Sequence, residues 1–109
     1  MEESEYRKLI TALFNRIELA FSDVDPDVAE CENANGGITI RFADGSRCIL
    51  SPQPSVKQLW LAIAAKGTAY HFSFDVGKGL WMDDKGREVE LVSFLTKYLQ
   101  EQTGLKVFI

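Results

Sequence analysis

The sequence holds one histidine, two cysteines and three prolines among 109 residues, and no long apolar run. Each shortage closes off a class of function. A single histidine excludes a His-rich metal centre. Cys31 and Cys48 lie too far apart for C-x-x-C spacing, so neither a zinc site nor a disulfide framework is signalled. Both read as buried or half-buried free thiols. No stretch approaches the roughly 18 apolar residues of a membrane span, and the opening MEESEYRK has neither a secretory apolar core nor an Arg-rich transit character. A cytoplasmic protein is the expectation. Phosphate-loop, G-x-S-x-G and H-E-x-x-H patterns are missing too, and Ser46, Ser51, Ser73 and His71 have no recognisable catalytic partners. Catalysis is not expected; ferroxidase activity is the one alternative left open, without an E-x-x-H motif to support it.

What is present fits one domain over residues 1–109: 46% of the chain is apolar, enough for a single core without cofactor or staple. Charge is unevenly spread. Residues 1–32 carry nine acids against three bases, a balance of −6, whereas residues 33–109 carry seven against nine, a balance of +2. With a pI near 4.9, nucleic acid and anionic membrane are poor partners, and cations or a basic protein surface are better ones.

Tyr6, Leu9, Ile10, Leu13, Phe14, Ile17, Ala20 and Phe21 follow the spacing of an amphipathic helix over about residues 3–22, which Pro26 then ends. Leu19 falls off the apolar stripe and should be partly exposed. The period then changes to two. AECE reads as a strand with Cys31 inward and Glu30 and Glu32 outward, and ITIRF and SRCILS flank an Asp-Gly hairpin signal. In QLWLAI the apolar face is Leu59, Leu61 and Ile63, which puts Trp60 on the wet side; in AYHFSF it is Tyr70, Phe72 and Phe74, with His71 and Ser73 outward. In LWMDD, alternation leaves open whether Trp81 or the Leu80/Met82 pair faces the core. Helical spacing returns over about residues 88–102 and Gly104 suits a stop, while the tail LKVFI is expected to cover the open end between the helices. Helix, antiparallel strands, helix: the order predicts an α+β two-layer sandwich, with both helices on one face of a five- to six-stranded sheet.

Five of the eleven residues in SDVDPDVAECE are acidic. Asp23, Asp25 and Asp27 begin like an EF-hand, but the required Gly and Glu positions hold Val28 and Ala34, and Pro26 interrupts the loop. What remains is a row of carboxylates without a cage: Glu18, Asp23, Asp25, Asp27, Glu30 and Glu32. Should helix and strand run side by side, these acids form one ridge suited to weak, unselective binding of hard cations such as Fe²⁺, Fe³⁺, Mn²⁺, Ca²⁺ or Mg²⁺. The plainer reading is a solvated charged rim. Trp60, exposed among Thr39, Arg41, Gln58, His71 and Ser73, is a candidate contact residue for a partner, or a single exposed aromatic without a role.

SEYRKL, AECE followed by NGG, ITIRFADGS, QLWLA, YHF and WMDDKGRE occur in an order and spacing that resembles the frataxins, in their bacterial form, over nearly the whole chain. That resemblance implies the two-layer sandwich, iron binding, and modulation of iron–sulfur cluster assembly through a cysteine desulfurase and its scaffold protein, without catalysis. It implies a monomer in the absence of iron. By position, Glu18, Asp23, Asp25, Glu30 and Glu32 match the family's acidic ridge, with Asp27 in a loop of variable length, and Trp60 matches its exposed sheet tryptophan. Two sites often acidic in bacterial members are Leu19 and Ser22 here, and the loop is about two residues shorter. Weaker cation affinity follows from the missing charge.

Overall fold

In the computed structural model, which describes residues 1–109, helix α1 spans Glu3–Ala20. Its buried residues Tyr6, Ile10, Leu13, Phe14 and Ile17 recur at three- and four-residue spacing, leaving the opposite side to water. Glu3 and Glu5 occupy the first turn, where the positive end of the helix dipole favours acids. The helix ends two residues before the expected residue 22. Phe21, Ser22 and Val24 each donate a backbone bond to the carbonyl three positions back, which winds the chain into a tight turn ahead of Pro26.

Six strands follow: β1 (Ala29–Ala34), β2 (Gly37–Phe42), β3 (Arg47–Gln53), β4 (Gln58–Ile63), β5 (Thr68–Asp75) and β6 (Leu80–Asp83). Each pairs antiparallel with the next in chain order. Asn35 and Gly36 join β1 to β2 with φ of 55° and 79°, a two-residue turn whose twist matches the strands. The inward alternation expected for β2 and β4 is present, since Ile38, Ile40, Phe42, Leu59, Leu61 and Ile63 are all buried. In β6 it is Trp81 that faces the core, packed edge-on against Tyr6 and Phe74, while Leu80 is exposed.

Helix α2 spans Leu91–Thr103, starting three residues later than the expected Glu88. Glu88 has φ 56°, which no right-handed helix contains, and Glu90 caps the helix by accepting the backbone N–H of Val92 and Ser93. Gly104 at φ 71° closes the other end as expected.

Both helices bury their apolar stripes against the same sheet face, in one cluster of 22 buried residues. The Tyr6 hydroxyl fastens α1 to the sheet where β3 and β4 part: it accepts the Gln53 N–H and donates to the Gln58 carbonyl at 2.6 Å. The tail covers its end of the core only in part. Val107 is buried, with its carbonyl accepting from Gln100 on α2, and Arg16 on α1 donates to the Ile109 carbonyl, yet Phe108 is 69% exposed. No helix is long and apolar enough to cross a membrane.

Candidate functional site

Glu18 near the end of α1, the turn residues Phe21, Ser22 and Val24, and strand β1 line an open trough of about 770 Å³. Alternation along β1 turns Glu30 and Glu32 outward and Cys31 inward. Glu18 closes the helix side, where its carboxylate accepts from the Asn33 side-chain amide at 2.5 Å and so ties α1 to β1. Cys31 lies between these acids; burial, and then the Glu18 charge, push its thiol up to about 11.

The acids do not form the single strip expected of them. Glu18, Glu30 and Glu32 line the trough, but Asp23 turns to another depression, bordered by Ala20, Val24 and the tail residues Leu105–Phe108, with Lys106 among them. Asp25 and Asp27 stand on the exposed loop, where the Asp25 carboxylate accepts the Asp27 backbone N–H at 2.9 Å. Glu32 is also not free of cations. Arg41 is paired across the ladder with Glu30, yet its guanidinium reaches diagonally to Glu32 at 2.6 Å. Nowhere do three or more His, Cys, Asp or Glu side chains come together as a set that could hold a metal ion. Such a surface can attract a hard cation through one or two oxygens and water, or attract a basic protein surface.

On the far side of the sheet Trp60 points outward, as alternation requires, but it is half-covered rather than open. Its ring stacks on His71 with centroids 4.1 Å apart, and its indole N–H donates to Gln58. The surroundings expected from the sequence are polar without an acid. The structure adds one: Asp84, just past β6, accepts from the Gln58 amide at 3.0 Å.

A family model described as a frataxin-like domain matches residues 1–105. The chain belongs to the frataxin family. Among similar proteins is the iron-sulfur cluster assembly protein CyaY of Stutzerimonas stutzeri, 40% identical over 104 residues, covering 95% of this chain and 91% of the relative. The protein of the same description from Pseudomonas aeruginosa is 41% identical, with 95% and 93% covered. Among solved structures, frataxin from Psychromonas ingrahamii superposes with a TM-score of 0.84 at 23% identity, covering 99% of this chain and 97% of that one. Trimeric frataxin from the yeast Saccharomyces cerevisiae, in a ferrous complex, gives 0.71 at 24% identity, with 96% and 88% covered. At those identities the two structures speak for the fold alone, and they share the sandwich found here.

Within this frataxin, Asp84 and the contact between Trp60 and His71 escape a reading of the sequence. Both depend on which residues stand opposite each other across strands, and alternation assigns faces without assigning partners. The exposed Leu19, by contrast, is legible from its helical phase; it is 73% exposed beside Glu18.

Proposed function

We propose that this frataxin is a non-catalytic accessory protein of iron–sulfur cluster assembly. It binds Fe²⁺ or Fe³⁺ weakly through Glu18, Asp23, Asp25, Asp27, Glu30 and Glu32, and it docks on a cysteine desulfurase and its scaffold protein. The acids Glu18, Asp23, Asp25, Glu30 and Glu32 meet the desulfurase, and Trp60 meets the scaffold. The observation that carries the reading is the gathering of Glu18, Glu30 and Glu32 around one trough, with Arg41 their only ion-pair partner. CyaY relatives named for iron–sulfur cluster assembly support the process.

A second reading keeps the docking and makes iron incidental. It is favoured by the lack of any set of three converging ligands. Anaerobic titration with Fe²⁺, followed by amide shifts, separates the two. Shifts confined to residues 18–32 support iron binding, and none at millimolar iron leaves docking alone. Co-purification with a cysteine desulfurase then tests the docking. The variant with Asp23, Asp25, Glu30 and Glu32 changed to amides should stay folded and lose the association; normal association would remove electrostatic docking from the account.

A further inference from the structure

The outer face of the sheet carries a closed set of contacts around Trp60. Trp60 and His71 stand directly opposite each other in the β4–β5 register, and their rings stack with planes 10° apart. The indole N–H is already engaged, donating to Gln58 Oε1 at 2.9 Å. Gln58 in turn donates its amide to Ser73 Oγ at 3.1 Å and to Asp84 Oδ2 at 3.0 Å. Asp84 is itself held in place, because its backbone N–H donates to the His71 carbonyl at 2.9 Å. His71 Nδ1 lies 3.9 Å from the same Asp84 oxygen, too far for a hydrogen bond, so the imidazole acts on Trp60 through its ring face.

A tryptophan alone on a sheet surface exchanges between staggered rotamers. Here one ring face is covered and the single polar atom is engaged, which leaves one orientation. Immobilising a large side chain before association removes an entropy cost that the complex would otherwise carry. We propose that His71 is a positioning residue: it fixes the Trp60 indole in one rotamer and so presents the part of the ring left to solvent as a preformed contact. The Gln58–Asp84 bond holds the indole N–H end of the same arrangement.

The indole N–H resonance of Trp60 in isotope-labelled protein tests this, with the buried Trp81 indole as an internal reference. In His71→Ala the heteronuclear NOE of the Trp60 indole should fall while that of Trp81 stays unchanged. His71→Phe, which keeps a ring to stack, should restore it. A Trp60 indole as rigid in His71→Ala as in the native protein overturns the inference. A second arm rests on the docking reading for this face: scaffold affinity should weaken about three- to tenfold in His71→Ala and recover in His71→Phe. Trp60→Ala keeps the two apart. If that variant binds scaffold as the native protein does, the docking role of Trp60 falls, and the indole measurement still decides whether His71 positions it.

Discussion

The Asp83 carboxylate is wholly removed from solvent and meets the Arg87 guanidinium at 2.6 Å. It also accepts the backbone N–H groups of Lys85 and Arg87, so one side chain folds the whole segment that delivers the chain to α2. The guanidinium lies over the Tyr70 ring at 4.4 Å, which adds a second hold on the same segment. The Arg87 hydrogen bond draws the Asp83 carboxyl below its ordinary value of 3.8, against the opposing effect of burial. A carboxyl depressed by folding contributes stability above its unfolded value and loses it as the pH falls. Asp83→Ala should therefore cost about 2 kcal/mol at neutral pH, the scale of a lost charged hydrogen-bond set. In urea unfolding the gap between native protein and variant should narrow below about pH 4. An equal gap at pH 7 and in acid would show that shape, not charge, is what Asp83 supplies.

The two thiols should be unreactive in the folded protein, and unequally so. Burial, and then the neighbouring Glu18 carboxylate, raise Cys31 to about 11. Burial, and then Cys31, raise Cys48 to about 12. The thiolate is the attacking species, so raising the pKa slows modification at neutral pH. A disulfide-exchange reagent at pH 7.5 should modify the half-buried Cys31 slowly and Cys48 more slowly still, with both reacting at once in denaturant. Native Cys48 reacting as fast as a free cysteine would contradict its burial.

Arg41 sets a positive charge beside the acidic trough. Its ion pair with Glu32 joins two side chains that are each about half exposed, so it adds well under about 1 kcal/mol to stability. Its charge is another matter, because a cation drawn to the trough meets Arg41 beside Glu32. Arg41→Gln should leave the melting temperature within a degree or two and raise Mn²⁺ affinity about two- to fivefold at low salt, with the gain fading at high salt. Paramagnetic broadening of the amides of Glu18, Glu30 and Glu32 reports it. Affinity unchanged in both salts would mean that cations bind elsewhere, along the Asp23–Asp27 loop.

The fold was legible where periodicity and turn chemistry agree. Apolar spacing gave both helices, and alternation gave the inward faces of β2 and β4, because a chain that buries one face must repeat with the geometry of its backbone. Element ends were less so. The start of α2 is set by Asp83 closing a loop and by Glu90 capping, two side-chain roles that carry no hydrophobic signal. Trp81 could not be oriented because β6 is four residues long, and its core side is decided by contact with Tyr6 from the far end of the chain. For the site, composition located the acids, whereas their division between two flanks and the reach of Arg41 to Glu32 depend on how α1, its turn and β1 are placed together.

Gly37 separates two reasons for keeping a glycine. It has no left-handed backbone angle, but a Cβ added there would lie 2.8 Å from the Leu50 carbonyl oxygen. That oxygen belongs to the backbone of β3, beside the Ile38–Leu50 pair that ends the β2–β3 ladder, so it cannot swing aside as a flexible side chain would. Gly37→Ala must push β2 away from β3 at that end, where Ile38 and Leu50 are fully buried. A loss of about 1–3 kcal/mol follows, as for other overpacked sites, and amide exchange should quicken first in β1 and β2. Gly36 is the opposite case. It has φ 79° with open space around it, and asparagine tolerates that conformation, so Gly36→Asn should fold with near-native stability. If instead Gly36→Asn unfolds the protein and Gly37→Ala does not, the turn angle rather than the close approach of two strands is what holds β1 and β2 in register, and with them the position of Glu30 and Glu32 opposite α1.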